Sequence, residues 1–384
     1  MNKKLIENIK SNFKAEFKVN PILVFAPGRI NIIGEHTDYN EGFAFPAAID
    51  KGIVAAIQKS DSKHCTVLAV NKIEKLKFFI DTIKPIEDGA WRNYVLGVIA
   101  EIKKKGINLK PFNIAFGGDI PSGAGMSSST ALENSIIFSL NEIFNLNLSK
   151  NEMIDISQKA EHNYVGVKCG IMDQYASMFG QENSALLLDC RSVESVHFKI
   201  DFSKYQLLLI NTNVKHNLSE SVYNDRRSSC ERIASLLRVK TLRDATGNEL
   251  LNIKNNISEE DYQKALYIIQ ENERVIKASH AIQKKDLNTF GALLYESHQG
   301  LQKQYKVSCD ELDFLVEKAK LSSDVLGARM MGGGFGGCTI NIIKKEALDS
   351  FKKDISKRYK EAFNNDCSIY NVNLSEGTRL IAKK

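Results

Sequence analysis

The sequence predicts an α/β chain (α+β in the looser sense) of two domains, with mixed sheets and flanking helices. Its 384 residues suffice for two domains of ordinary size, and 43% hydrophobic with 26% charged residues is the balance of a globular chain with ample core. Stretches with strand-like alternation and stretches with helix-like spacing succeed one another along its length. Composition shifts near residues 190–205, so the expected domains are 1–195 and 196–384, with the final strand free to return to the first.

Residues 1–18 read as an amphipathic helix, with Leu5, Ile9, Phe13 and Phe17 spaced four apart. A short apolar strand at 21–26 runs into a loop at 26–42, where Arg29, Glu35, His36 and Asp38 crowd between glycines. Polar loops at strand ends are common places for ligand contacts. The same cluster also fits a solvated turn with salt bridges. Residues 43–49, 52–59, 65–70 and 75–80 read as strands of a meander. Residues 91–105 are helical, with Trp91, Val95, Val98 and Ile102 on one face; core packing suits this single tryptophan better than stacking on a base. Residues 111–116 alternate as a strand and deliver the chain into a glycine-rich stretch.

That stretch, 117–133, turns at Pro121, places Gly123 and Gly125 before three serines, then becomes helical with Leu132, Ile136, Leu140 and Ile143 on one side. A small-residue loop feeding a helix start offers free backbone N–H groups and the positive end of a dipole. This is an anion site, to which the serine hydroxyls add reach toward a phosphate or its metal. The bland alternative is a capped helix, since Thr130 and Glu133 fit a capping box.

A helix at 151–165 carries Glu161 and His162. Asp173 then lies in a tight apolar run with Ile171, Met172, Tyr175 and Met178. A carboxylate in such company is costly to bury unless paired. It is either a structural partner for a cation or a working base, and the local sequence fits both. Strands follow at 185–189, 195–200 and 206–212, then a helix at 219–238 carrying Tyr223, Arg226 and Arg227. Helices at 259–284, 286–306 and 309–321 lead to a second glycine-rich stretch at 327–340, a helix at 345–364 and a strand at 367–374.

Composition narrows the function classes. The net charge of +6 is spread along the chain, and the densest basic cluster, 352–360, alternates with Asp354 and Ile355 as the wet face of a helix does; nucleic acid is not an expected partner. Seven scattered cysteines without CxxC spacing argue for reduced thiols and against a disulfide framework or a zinc site. No apolar signal segment follows Lys3 and Lys4, and the longest apolar runs are too short for a bilayer. The expected setting is cytoplasmic, with no membrane partner.

The common nucleotide motifs fail in turn. Gly118 and Gly123 have Walker spacing, but Ala124 and Gly125 stand where Lys and Ser/Thr belong. Gly332, Gly334 and Gly337 match GxGxxG, yet a strand-like segment follows, so this is no dinucleotide fingerprint. Protein-kinase signatures are absent. Taken together, however, residues 27–46, 119–133, 169–174 and 329–338 resemble the sugar signature and the three shared motifs of the GHMP kinases, and within them the galactokinase family. The run Gly28-Arg-Ile-Asn-Ile-Ile-Gly-Glu-His-Thr-Asp-Tyr39 is the most specific, and motif order and spacing extend the resemblance over nearly the whole chain.

The resemblance implies the GHMP kinase fold, with the active site in the cleft between the domains, and transfer of the γ-phosphoryl of MgATP to the C1 hydroxyl of α-D-galactose. It implies an ATP phosphate loop at Gly123, Ala124, Gly125, Met126, Ser127, Ser128 and Ser129, and Mg²⁺ held by Ser129 and Glu161. Sugar contacts fall on Glu35, His36, Thr37, Asp38, Gly170 and Tyr223. Asp173 matches the catalytic base and Arg29 the transition-state stabiliser. Trp91 resembles a family residue near the adenine, and residues 332–337 a loop supporting both substrates. Met126 and Thr130 depart from the usual residues of the loop but keep volume and backbone donors. Kinases for N-acetylgalactosamine or L-arabinose share much of this signature; Thr37, Tyr39 and Asn40 favour galactose. The catalytically silent sugar sensors of yeasts lose residues in the serine loop, which is full length here.

Overall fold

The computed structural model describes residues 2–121, 123–214 and 219–381, with the side chains of 219–223 outside the description. Helix α1 (Lys3–Phe17) precedes strands β1 (Ile22–Asn31), β2 (Phe43–Ala44), β3 (Pro46–Lys59), β4 (Cys65–Ala69) and β5 (Glu74–Phe78). Helix α2 (Trp91–Lys104) and strand β6 (Phe112–Gly118) lead to helices α3 (Ser128–Phe144), α4 (Lys150–Ala160) and α5 (Met172–Phe179). Next come strands β7 (Ser184–Asp189), β8 (Glu194–Lys199) and β9 (Tyr205–Asn211), then helices α6 (Ser219–Leu236), α7 (Gly247–Asn252), α8 (Glu259–Gln283), α9 (Leu287–Gly300) and α10 (Asp310–Lys320). Strands β10 (Val325–Met330) and β11 (Cys338–Lys344), helix α11 (Leu348–Phe363) and strands β12 (Ser368–Val372) and β13 (Arg379–Leu380) complete the chain.

Six strands form the main sheet in the order β13-β1-β3-β6-β4-β5. This corrects the expected meander: β6 inserts between β3 and β4, antiparallel to the first and parallel to the second. Parallel neighbours need a crossover, and α2 supplies it. The insertion also gives Ile114 and Ala115 of β6 a fully buried, central position. Strand alternation is local and says nothing about which neighbour a strand chooses. Beneath the sheet, α1 buries Leu5, Ile6, Ile9 and Phe13 against Phe25, Val54, Ala56 and Ala115. Its start is capped by Asn2, whose side chain accepts from Leu5 N. On the other face α2–α5 pack Val98, Ile99, Ile136, Leu140 and Ile154 into one core with the sheet.

Strand β1 runs further than its apolar residues suggest, to Asn31, with a bulge between Pro27 and Arg29. Arg29 therefore projects from a strand and not from a loop. The other sheets are β10-β11-β9-β12 and β2-β7-β8; β8 runs across residues 195 and 196. Strand β13 pairs with β1, Val24 opposite Leu380. Residues from both halves of the chain, among them Ile30, Ile32, Ala124, Met126, Val275, Leu294, Met331 and Ile340, share one apolar cluster that floors the region described next. No described helix is long and apolar enough to cross a membrane.

Candidate active site

At the end of β1 the Arg29 guanidinium grips the Asp173 carboxylate with two bonds of 2.7 Å each. Asp173 stands in the first turn of α5, a helix that starts within the apolar run around it. Its position suits a carboxylate, because the free N–H groups and dipole of a helix start favour negative charge. The remaining guanidinium nitrogen donates to Gly125 O at 2.5 Å, and Ser127 Oγ donates to Asp173 at 2.5 Å. Burial works against the Arg29 charge, but Asp173 beside it carries the guanidinium above its ordinary range.

The segment after β1 turns sharply and presents Glu35, His36 and Asp38. Its turn depends on left-handed residues, Gly34 at φ 98° and His36 at φ 64°. Glu35 is buried and receives three donors: Asn31 Nδ2 at 3.1 Å, Arg329 at 2.8 Å and the Gly332 backbone N–H at 2.8 Å. Arg329, wholly buried, also donates to the Ile32 and Asn31 carbonyls at 2.7 and 2.6 Å, so one side chain ties β10 to the turn. Thr37 is buried with its hydroxyl bonded to Gly34 O and Phe43 O at 2.9 and 2.7 Å; it closes the loop on itself and does not line the cavity below. Gly170 backs Asp38 so closely that a Cβ there would sit 2.0 Å from the carboxylate oxygen.

Helix α8 fixes the same segment from the second half of the chain. Tyr267 Oη donates to Glu35 O at 3.1 Å, Glu271 accepts from Gly34 N at 2.9 Å, and Asn272 Oδ1 accepts from Phe43 N at 2.7 Å. Glu271 is itself held by Ser297 Oγ and Arg274 Nε, both at 2.6 Å. Positions 267 and 271, four apart, share one helical face, and 272 stands about 100° further round the helix.

The glycine-serine loop lies against β1, where Arg29 N donates to Met126 O at 3.1 Å. Gly28 permits this approach, since a Cβ there would be 2.6 Å from Met126 O. Gly123, Gly125 and Ser127 adopt positive φ of 70°, 67° and 53°, the alternation that turns successive N–H groups into an anion-binding concavity. Between them Ala124 and Met126 are buried as anchors. Helix α3 then starts at Ser128 with Ser129 in its first turn. There is no capping box. Ser127 makes no side-chain cap, Thr130 reaches Glu161 at 3.5 Å, and Glu133 is buried inside the helix.

Glu161 opens a π-helical turn, 161–165, that interrupts the expected long helix after α4. Such turns often mark functional sites because they re-aim a side chain. Ser129, Cys169 and Glu133 hydrogen-bond to Glu161, and burial raises its pKa. Burial and the nearby Glu161 push Glu133 well above the carboxylate range, and no donor in good geometry reaches either of its oxygens. The oxygen-only pair Ser129 and Glu161, in a region crowded with carboxylates, fits a hard divalent cation. Among the described residues no larger His, Cys, Asp and Glu cluster forms a ready metal cage. Magnesium seldom needs one, since it takes one or two carboxylates together with substrate phosphates.

These groups meet at a cavity of about 220 Å³ lined by Arg29, Glu35, His36, Asp38, Glu161, Val167, Cys169, Met172, Asp173, Gly332 and Gly333. Pockets for drug-sized ligands run about 300–1,000 Å³, so this one has the scale of a single small polar molecule. Burial pushes Asp38 up to about 7, with Asp173 and Glu35 adding to the effect. Burial and the Arg226 charge push His36 down to about 3, so it is neutral.

Of the residues expected from sequence, Arg29, Glu35, His36, Asp38, Glu161 and Asp173 line one cavity, with Ser127 bonded into it. Tyr223 lies outside the described side chains. Trp91 is core: its ring packs edge-on to Phe116 at 5.3 Å and its N–H donates to Glu74 at 2.7 Å. Sequence reasoning missed Arg329, Tyr267, Glu271 and Asn272. Arg329 stands inside the second glycine-rich stretch and could have been singled out as a charge in an apolar strand. The three on α8 follow an ordinary helical pattern and carry no signal.

The chain is similar to known proteins over nearly its whole length. Residues 11–59 match the galactokinase galactose-binding signature, 93–181 the GHMP kinases N terminal domain and 278–361 the GHMP kinases C terminal family. A galactokinase of Clostridium beijerinckii is 39% identical over 385 residues, covering 98% of this chain and 99% of the relative. One of Thermotoga petrophila is 38% identical over 364 residues, covering 93% and 99%. The crystal structure of Lactococcus lactis galactokinase complexed with galactose superposes with a TM-score of 0.94 at 33% identity, covering 98% of this chain and 99% of that one. Methanococcus jannaschii mevalonate kinase, 19% identical with a TM-score of 0.67, shares the fold over 93% of this chain and 99% of its own. The chain therefore belongs to the galactokinase family of the GHMP kinases.

Proposed function

We propose that this chain transfers the γ-phosphoryl group of ATP to the C1 hydroxyl of galactose, giving galactose 1-phosphate and ADP. The observation that carries the reading is a convergence on one carboxylate. Asp173 faces the small polar cavity while Arg29 and Ser127, the latter from the glycine-serine loop, both bond to it. Donor and acceptor would meet there.

Phosphoryl transfer needs positioning and charge stabilisation more than covalent help. In this reading Glu35, His36 and Asp38 orient the sugar, with Gly170 behind Asp38, Thr37 shaping the loop and Tyr223 a further contact. The C1 oxygen forms its bond to the γ-phosphorus as the bond to the β-bridging oxygen breaks, and Asp173 takes the hydroxyl proton. Arg29 holds the Asp173 carboxylate in place with its two bonds and offsets charge on the transferring group. Backbone N–H groups from Gly123, Ala124, Gly125, Met126, Ser127 and Ser128 cradle the donor phosphates. Ser129 and Glu161 would hold Mg²⁺, which supplies neutralisation of phosphate charge when bound. The cleft would lie between domains 1–195 and 196–384, and the reaction would take place in the cytoplasm.

The test is ADP release with MgATP against galactose, N-acetylgalactosamine, L-arabinose and glucose. Galactose should be turned over fastest. Faster turnover of any of the other three overturns the substrate, and no ADP release with any sugar overturns the activity.

A further inference from the structure

The turn that carries Glu35 puts two backbone groups where water does not reach, the Gly34 N–H and the Glu35 carbonyl. Buried backbone groups need partners, and strand β1 has already ended at Asn31. Both partners come from α8, with opposite polarity. Glu271 Oε1 accepts from Gly34 N at 2.9 Å, and Tyr267 Oη donates to Glu35 O at 3.1 Å. One acceptor and one donor thus grip the two ends of a single dipeptide.

Arg274 joins the two grips. It stands three residues after Glu271 and seven after Tyr267, on a helical face that all three share. Its Nε donates to Glu271 Oε2 at 2.6 Å, and its guanidinium lies over the Tyr267 ring, 5.6 Å from the centroid. Tyr267 and Glu271 are wholly buried and Arg274 nearly so. Helix α9 closes the back of the group. Ser297 Oγ donates to Glu271 Oε1 at 2.6 Å. A Cβ at Gly300 would stand 2.8 Å from the Tyr267 ring and 3.1 Å from Arg274 Nη2, so the bare glycine makes room for both.

The bonds require a carboxylate at position 271. The Gly34 N–H, the Ser297 hydroxyl and the Arg274 N–H all converge on it as donors, and a carboxylate only accepts. An amide would keep its oxygen for Gly34 and Ser297 but would turn its own N–H groups on Arg274. A buried ion pair is costly to desolvate, and an apolar pair of similar volume is often no less stable. Stability alone therefore does not account for charges at this place; an acceptor held still for the Gly34 N–H does.

We propose that Tyr267, Glu271 and Arg274 are positioning residues for sugar recognition. They form a clamp from the second half of the chain that sets where Glu35 stands, and Arg274 holds its two arms at a fixed spacing. The inference rests on Glu35 being a sugar contact in the proposed reaction. It adds that galactose affinity depends on an ion pair outside the lining of the cavity.

The test is galactose binding to the full-length protein by calorimetry, beside KM for both substrates and the melting temperature. Tyr267→Phe, which loses only the hydroxyl, should weaken galactose binding and raise its KM about fivefold, the scale of one buried hydrogen bond, with KM for ATP nearly unchanged. Arg274→Met and Glu271→Gln break the same bond from opposite ends, so they should shift the galactose constants by similar factors. Arg274→Lys, which keeps a cation beside Glu271, should recover most of the loss. Variants that fold with a lowered melting temperature but unmoved galactose constants overturn the proposal, as do galactose and ATP constants that move together. Tyr267→Phe decides the matter if the charge variants fold poorly. A parent that binds galactose without releasing ADP refutes the proposed reaction, and the binding constants still decide the clamp.

Discussion

The two sides of Asp173, the cavity and the glycine-serine loop, are built differently. On one side, Glu35 is fastened by three donors and α8 bonds the turn at three backbone positions, so recognition rests on buried side chains fixed from both halves of the chain. On the other side the glycine-serine loop offers backbone. Its Gly123 has open space where a Cβ would stand, and the nearest atom to a Cβ at Gly125 is 3.6 Å away. The difference matches the ligands proposed for each. A sugar is distinguished from its epimers by the placement of hydroxyls and needs rigid, directional partners, whereas a polyphosphate needs a concave array of N–H groups. The sides join at Asp173, which answers to both.

The largest effect should come from breaking that junction. Asp173→Asn keeps the shape and removes the base, and should lower kcat by about 10²–10⁴ with little change in nucleotide binding, measured by steady-state ADP release. Gly170→Ala strikes the side-chain half alone. Its methyl group cannot coexist with Asp38 in its present place, so KM for galactose should rise about tenfold or more while KM for ATP holds. If both constants move together, the two sides are not separable as described. Gly125→Ala strikes the backbone half. Its positive φ, not crowding, is the obstacle, at roughly 1–2 kcal/mol, and KM for ATP should rise severalfold at constant KM for galactose.

The smallest of these expected changes concerns pH. Asp38, pushed up to about 7, is neutral below that pH and ionised above it. If the carboxylate is the form that accepts sugar hydroxyls, kcat/KM for galactose should climb as pH rises through about 7 and then level off, and Asp38→Asn should flatten the step. The folded protein holds this proton more tightly than the unfolded chain, whose value is near 3.8, so Asp38 makes stability fall as pH rises across that window and level off above it. A rate profile that falls through pH 7 would mean that the neutral acid is the working form.

Much of the side-chain half was legible because it is contiguous in sequence: Arg29, Glu35, His36 and Asp38 stand within ten residues. The glycine-serine loop announced itself by composition. What escaped was contact at a distance. Arg329 meets Glu35 across 294 residues, and Tyr267 meets it across 232. No local period encodes such pairing. Sheet order escaped for the same reason, since β6 alternates as an edge strand would and yet lies in the middle. Local chemistry also misled once: Thr130 and Glu133 have capping-box spacing, but the helix begins earlier and turns them toward Glu161.

One pairing bears on how the chain is made. Strand β13 seals the outer edge of β1, and Ile381 N donates to Leu23 O at 2.8 Å. During synthesis that edge of the N-terminal sheet stays uncovered until residues 379–381 have been made. Until then β1 presents unpaired N–H and C=O groups there, the template on which nascent chains associate wrongly. The closing strand thus acts as a late clasp, and the interval before it arrives is when this chain has most need of a chaperone.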